Sequence, residues 1–188
     1  MNSRFKFRAT FSVSYYDENG NDKDIKLTVY DVAVFSSGEV GFSAQQLETI
    51  IDSLKLPETE QDSIWQFIND NYATSCYEWF ICDNAIIEQC TGFSDKNGNL
   101  IYEGDIVRHS YSGKGVVSFG KYTGCFACGW ENIYVDLFGW YLDDYYEPDD
   151  CGRLRVNLDD SHSPITEEDA SDFEIIGNVH EQVEQKDE

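Results

Sequence analysis

Residues 101–119 have the sequence IYEGDIVRHSYSGKGVVSF, in which two predicted strands are separated by a glycine-rich turn. The first strand lies within residues 101–108, and the second begins at Val116, after Gly113-Lys114-Gly115. Closely spaced glycines of this kind serve tight turns and barrel corners. The pattern indicates the start of a small barrel of the SH3-like type.

The beginning of the chain predicts two more strands. Apolar and polar residues alternate over residues 4–16, and the alternation returns over residues 24–35. Between them lies Asn19-Gly20, which supplies the positive φ angles of a hairpin turn. One face of the first strand is basic, and we expect it to pair with carboxylates on a neighbouring strand. This basic stripe consists of Arg4, Lys6 and Arg8.

The next region changes to a helical period. Residues 43–56 place Leu47, Ile51 and Leu54 on one helical face, with Ser43 as the expected N-cap. A second helix is predicted from Thr59, as its N-cap, to about residue 72. Residues 143–172 are predicted to be loop, and residues 173–179 to be the closing strand.

These patterns together predict a mainly β protein, α+β overall, built as an SH3-like β-barrel with a helical insertion. The barrel is expected to comprise residues 1–38 and 85–180. The insertion is expected to be residues 39–84 and to contact the barrel. Residues 181–188 form a charged tail that is expected to fray.

The composition restricts the class of protein. Aromatic residues make up 15% of the chain, which is enough to build a core, and no apolar run reaches the length of a membrane span. No apolar segment follows the basic N-terminus, so we expect no signal peptide and a cytoplasmic location in a host cell. The net charge of −23 disfavours direct contact with nucleic acid or an anionic membrane. It favours a basic protein partner or metal cations, or it serves solubility alone.

Three segments resemble the YopX family of phage and prophage proteins. The strongest is residues 89–107, QCTGFSDKNGNLIYEGDIV, and the others are FKFRA at residues 5–9 and FEIIGNVHE at residues 173–181. The resemblance implies a β-barrel domain with variable insertions and a phage or prophage origin. It implies no activity and no catalytic residues. Residues 36–84 form a longer helical region than the family pattern leads us to expect.

The six cysteines suggest a metal or redox site at one place only. Cys125 and Cys128 have zinc-knuckle spacing, but no second short-spaced pair completes four ligands. A redox centre of the thioredoxin type needs the motif at the start of a helix, whereas Gly124 and Gly129 suggest a hairpin. We therefore expect reduced thiols, no disulfide, no bound metal and no cofactor.

The sequence matches neither the pattern of a calcium-binding loop nor that of a catalytic nucleophile. Residues 95–99 begin like a calcium-binding loop, but Leu100 stands at the sixth position where glycine is needed, and Ile106 stands in place of the glutamate. The segment beginning at Asp17 fails in the same way, so both are interpreted as turns. The sequence has no Gly-x-Ser-x-Gly motif and no P-loop, and its three histidines lie in no nucleophile motif.

The remaining candidate is an aromatic and acidic segment near residue 140. About half of its rings are expected to pack in the core, and the rest form a groove beside carboxylates that suits a cationic or proline-containing peptide. The candidate binding residues are Trp130, Tyr134, Trp140, Tyr141, Asp143, Asp144, Tyr145, Tyr146, Glu147, Asp149 and Asp150.

We therefore expect a non-enzymatic protein-binding module for a basic host or phage protein, and leave self-association open. The alternative is a DNA mimic, in which carboxylates imitate phosphates and occupy the nucleic-acid site of a host restriction or defence protein. A third alternative is an enzyme whose catalytic residues lie far apart in the sequence.

Overall fold

A computed structural model describes residues 6–35, 38–74, 79–109, 113–128, 131–145 and 162–180. The described chain divides into two compact units, which we call the N-terminal unit (from Lys6 to Gln89) and the C-terminal unit (from Cys90 onward).

The N-terminal unit contains seven strands or parts of strands and two helices. Its elements are β1 (Phe7–Tyr16), β2 (Asp22–Tyr30), β3 (Ala33–Val34), β4 (Val40–Ser43), α1 (Ala44–Ser53), α2 (Glu58–Asn71), β5 (Ala73–Thr74), β6 (Trp79–Cys82) and the first residues of β7 (Ile86–Ser94).

The C-terminal unit contains the rest of β7, six further strands and one short helix. Its elements are β8 (Leu100–Tyr102), β9 (Asp105–His109), β10 (Gly113–Cys128), β11 (Glu131–Tyr145), β12 (Ser163–Pro164), α3 (Glu167–Asp172) and β13 (Glu174–Asn178).

The core of the N-terminal unit joins its strands to its helices. The alternation in β1 buries Phe11 and Val13, and β2 contributes Leu27 from the same hairpin. The apolar faces of α1 and α2 enter this core, and the ring of Phe11 stacks on Phe42 of β4 with centroids 5.0 Å apart. The fully buried helical side chains are Leu47, Ile51, Ile64 and Ile68.

The start of α1 agrees with the prediction, and the start of α2 does not. Ser43 caps α1 in a capping box with Gln46, as the spacing predicts. The predicted cap of α2 at Thr59 is wrong, because Pro57 is the N-cap and α2 already begins at Glu58. A proline suits this place, since it has no backbone N–H to leave unsatisfied at a helix start.

A buried ion pair links β1 to β7. Arg8 lies directly opposite Glu88, and its guanidinium donates two hydrogen bonds to the Glu88 carboxylate, at 2.7 and 3.0 Å. Both residues are at most 6% exposed. Lys6 bonds Asp31, at the end of β2, at 3.0 Å. The pairing of the basic stripe with neighbouring carboxylates is thus confirmed for Lys6 and Arg8, whereas Arg4 lies outside the described residues.

The C-terminal unit is built on a five-stranded antiparallel sheet with the order β12-β11-β10-β9-β13. Its core consists of Ile101, Val107, Val117, Leu142, Ile165, Ala170 and Phe173. The protein is mainly β with a curled, half-barrel sheet, which confirms the predicted barrel-like α+β fold. The predicted loop over residues 143–172 is partly wrong, since β11 continues to Tyr145 and a capping box at Thr166 starts α3.

The buried faces of β1 and β2 lie in the same core as α1 and α2. The predicted boundaries, with residues 1–38 and 85–180 as the barrel and residues 39–84 as an insertion that contacts it, stay a prediction. The closing strand is confirmed as β13, and residues 181–188 lie outside the described residues.

None of the described helices combines the length and the apolar composition needed to cross a bilayer.

Deleting residues 40–80 tests the insertion. The deletion removes every helical side chain from the core and exposes the buried faces of β1 and β2, so we expect an insoluble or unfolded chain. Circular dichroism and gel filtration of the purified deletion variant measure this. A soluble, cooperatively folded product would show that residues 39–84 are an independent insertion.

Replacing Glu88 with Ala tests the buried ion pair. The change leaves Arg8 charged and buried without its carboxylate, so the free energy of unfolding should fall by about 3–5 kcal/mol in urea denaturation. The double variant Arg8→Met/Glu88→Leu should lose less, because it leaves no buried charge. Lys6→Ala, at a more exposed pair, should cost less than about 1 kcal/mol. A double variant as unstable as Glu88→Ala would contradict this account.

Candidate functional site

The register of β10 and β11 assigns the candidate residues to two faces. Phe119 lies opposite Trp140, and Tyr122 lies opposite Leu137. Since successive side chains in a strand point to opposite sides, Trp140 and Tyr141 occupy different faces. We call one the neutral face (Phe119, Lys121, Tyr134, Asp136, Phe138 and Trp140) and the other the tyrosine face (Ser118, Tyr122, Leu137, Tyr141 and Asp143).

A pair of glycines bends this hairpin. Gly120 and Gly139 are direct cross-strand partners with φ angles of 157° and 156°, which side-chain-bearing residues rarely adopt. A Cβ on either glycine would find no atom within 4 Å, so it is the backbone conformation that favours glycine here. Paired glycines are a recognised source of sheet curvature.

The bend folds the tyrosine face onto itself. In a flat ribbon, the positions of Tyr122 and Tyr141 would lie about 13 Å apart along the strands, yet their ring centroids are 4.8 Å apart and stacked. The backbone N–H of His162, next to β12, donates to the Thr123 carbonyl oxygen at 2.9 Å. Residue 162 therefore joins β12, which pairs with β11, to the curled part of β10.

The tyrosine face has a negative environment. The Asp143 carboxylate lies 3.3 Å from Nδ1 of His162, and the His162 ring is 5.0 Å from that of Tyr141. Burial, and then the charges of Asp143 and Glu103, raise the pKa of Tyr141 above its ordinary value, although a hydrogen bond with Ser118 opposes the rise. Since Asp143 is about half exposed, a ligand cation has access to this carboxylate beside an aromatic ring.

The neutral face carries an exposed aromatic cluster. The Phe119 ring lies 4.7 Å from Trp140 and 5.2 Å from Phe138, with Phe138 edge-on. Trp140 packs against the core, whereas Phe138 is 74% exposed. Next to this cluster, Lys121 and Asp136 form a salt bridge of 2.7 Å across the two strands.

The structure separates the residues that the sequence grouped into one groove. Tyr134 and Trp140 lie on the neutral face, and Tyr141 and Asp143 lie on the tyrosine face. Asp144 and Tyr145 belong to β11, but their side chains are not described. The remaining candidates, Trp130, Tyr146, Glu147, Asp149 and Asp150, lie outside the described residues.

Three site residues were missed from the sequence. Phe119 and Tyr122 lie in β10, where the alternation after Val117 is a signal for strand faces, but only the register brings them to Trp140 and Tyr141. His162 follows an acidic segment that was predicted to be loop, and no local pattern connects it with Asp143.

The structure places the cysteine motif in a strand and shows how the two turn motifs close. Cys125 and Cys128 lie near the end of β10 and not at the start of a helix. Asp95 accepts hydrogen bonds from the backbone N–H groups of Asn97 and Asn99, and Asp17 closes the first hairpin in the same way. Within the described parts of the chain, no three histidine, cysteine or acidic side chains are arranged to hold a metal ion.

The fold and the site define a mainly β protein with a curled half-barrel sheet and a bent, aromatic hairpin. The family model described as YopX protein matches residues 41–185. The chain therefore belongs to the YopX family. The match includes both helices of the N-terminal unit, and the resembling residues 5–9 lie outside it. That residues 36–84 are longer than the family pattern stays a prediction. No match was found among curated proteins.

Replacing Gly139 with Val tests the bend. A β-branched residue with this φ should cost about 1–3 kcal/mol and straighten the hairpin. Tyr141 then becomes more exposed, so its raised pKa should fall toward the ordinary tyrosine value. An NMR titration of isotope-labelled tyrosines, with Tyr141→Phe to assign the resonance, measures the change.

Gly20→Val is the matched control, since Gly20 also has a positive φ and open space but lies in the first hairpin. It should leave the pKa of Tyr141 unchanged. An unchanged pKa in Gly139→Val would mean that the glycine pair does not hold the two tyrosines together.

Proposed function

We propose that this YopX-family protein is a non-enzymatic binding module that recognises a basic protein through the tyrosine face and the acidic segment that follows it. The observation that carries the proposal is the stack of Tyr122 and Tyr141 beside the half-exposed Asp143 carboxylate. An aromatic ring next to carboxylates suits a lysine or arginine side chain, which gains both cation–π and charge–charge attraction.

The sequence beyond Asp143 extends this negative charge. Four carboxylates follow within seven residues, namely Asp144, Glu147, Asp149 and Asp150. Each exposed pair with a partner's cation contributes only about 0–1 kcal/mol. Several together steer association and make it sensitive to salt, while the tyrosine stack supplies the specific contact.

The surroundings of Tyr141 support a cationic ligand in a second way. Asp143 and Glu103 act on Tyr141 from different elements, β11 and the turn between β8 and β9. The negative field is therefore contributed by more than one segment of the folded unit. A cation placed against the neutral ring would be attracted by both carboxylates.

The DNA-mimic alternative requires carboxylates spread continuously over a face. The β10–β11 hairpin supports it less well, because one of its faces is aromatic and carries a paired lysine and aspartate. A phage or prophage origin and a cytoplasmic location in the host are parts of the proposal that follow from the resemblance and from the composition.

Neutralising the acidic segment tests the proposal. The variant Asp143→Asn/Asp144→Asn/Glu147→Gln/Asp149→Asn/Asp150→Asn should recover markedly less of a basic protein from host lysate. Recovery by the unmodified chain should fall as salt is raised, because salt screens exposed charges. Affinity pull-down with mass spectrometry, in low and high salt, measures both effects.

The matched control changes four aspartates and one glutamate in the N-terminal unit. In the structure these residues are exposed, and the control is Asp22→Asn/Glu48→Gln/Asp52→Asn/Asp62→Asn/Asp70→Asn. It removes the same charge, so it should retain the partner. Equal recovery by both variants, with no effect of salt, would mean that the acidity serves solubility only.

A further inference from the structure

The neutral face has an amount of exposed apolar surface that needs explanation. Phe138 is 74% exposed, Tyr134 49% and Phe119 40%, and all three lie on one side of the hairpin. Clusters of large exposed apolar side chains mark interaction sites more often than single ones do. Covering such a cluster gives about 25 cal/mol for each Å² of apolar area removed from water.

The bend explains why this face is uncovered within the described unit. Val117 and Leu142 lie on the same side of the hairpin as Phe119 and are buried in the core. Beyond them the hairpin curls toward the tyrosine face at Gly120 and Gly139, so the side chains at the outside of the bend leave the core. The aromatic cluster is thus the exposed continuation of the row of side chains that Val117 and Leu142 place in the core.

The charge of this region differs from that of the chain. Residues 113–142 contain two lysines, Lys114 and Lys121, and two acids, Glu131 and Asp136, so their net charge is zero. The whole chain carries −23. A basic partner therefore finds little attraction here, and a second acidic chain meets little local repulsion here.

The charged groups on the neutral face are complementary to themselves. Lys121 and Asp136 are 70% and 64% exposed at their side chains, and they lie side by side next to the aromatic cluster. In a two-fold interface the same patch meets itself, so that residue i of one protomer meets residue j of its partner and the reverse. Lys121 of one protomer then meets Asp136 of its partner on both sides of the axis.

We propose that the neutral face is the contact surface for a second copy of this chain. The two aromatic clusters pack against each other around the two-fold axis, and the two Lys121–Asp136 pairs exchange partners at its sides. This surface is distinct from the tyrosine face, so a homodimer leaves Tyr141 and Asp143 available to another protein.

The two proposals predict opposite effects of salt. Dimer formation brings together two chains of charge −23, and salt screens their mutual repulsion. The dimer should therefore become tighter as salt is raised, whereas binding of a basic protein to the tyrosine face should become weaker. The salt dependence of each association therefore shows which of the two, dimer formation or binding to a basic protein, is absent.

The first test is the mass in solution by analytical ultracentrifugation, at concentrations up to about 100 µM and at two salt concentrations. We expect twice the chain mass of 21.6 kDa, with a lower dissociation constant in high salt. Phe138→Ser should raise the dissociation constant by about tenfold or more. Tyr16→Ser, which changes a 60% exposed tyrosine of the N-terminal unit, should leave it unchanged.

The second test uses charge variants that rescue each other. Lys121→Asp gives a face with two acids and Asp136→Lys gives a face with two lysines, so each variant alone should be monomeric. An equimolar mixture should form a dimer, which also shows that both variants are folded. A wild-type mass of 21.6 kDa at all concentrations, a mixture that stays monomeric, or a Phe138→Ser variant that dimerises as tightly as Tyr16→Ser would overturn the proposal.

Discussion

The antiparallel register of β10 and β11 is the constraint on which the functional surfaces depend. A period of two places Trp140 and Tyr141 on opposite faces although they are adjacent in sequence. The bend at Gly120 and Gly139 then makes the two faces differ. On the tyrosine face it brings Tyr122 and Tyr141 into a stack, and on the neutral face it leaves a cluster of aromatic rings exposed. A shift of β11 by one residue against β10 would move every β11 side chain to the other face, so that Tyr141 would lie on the side of Phe119.

Local patterns were sufficient for most of the fold. Alternation located β1 and β2, the helical period located α1 and α2, and the Asn-Gly turns located two hairpins. These signals succeed because they arise from contacts between residues near in sequence. The predicted N-cap of α2, Thr59, lies two residues after the observed N-cap, Pro57, because the prediction rested on the preference for a side-chain cap and Pro57 makes none.

The packing of strands on helices and the geometry of the candidate site were harder to predict because they depend on contacts between distant residues. Whether β1 packs on the barrel or on the helices is settled by the shared core of Phe11, Leu47 and Ile64, which no pattern in the sequence connects. Likewise, the sequence showed an aromatic and acidic segment but not which residues of other strands lie beside it. Tyr122 joined Tyr141 through the curl of the sheet, and His162 joined it through the pairing of β12 with β11.

The ion pair between Arg8 and Glu88 bears on the order in which the chain folds. Its partners are 80 residues apart, so forming the ion pair closes a long loop. The turns closed by Asp17 and Asp95, by contrast, join strands that are only a few residues apart. Local hairpins form within microseconds. Contacts between residues far apart in sequence form later, because closing a long loop costs more chain entropy. We therefore expect the β1–β2 hairpin to form before Arg8 pairs with Glu88. The loss of water from these two charges should then accompany the later pairing of β7 with β1.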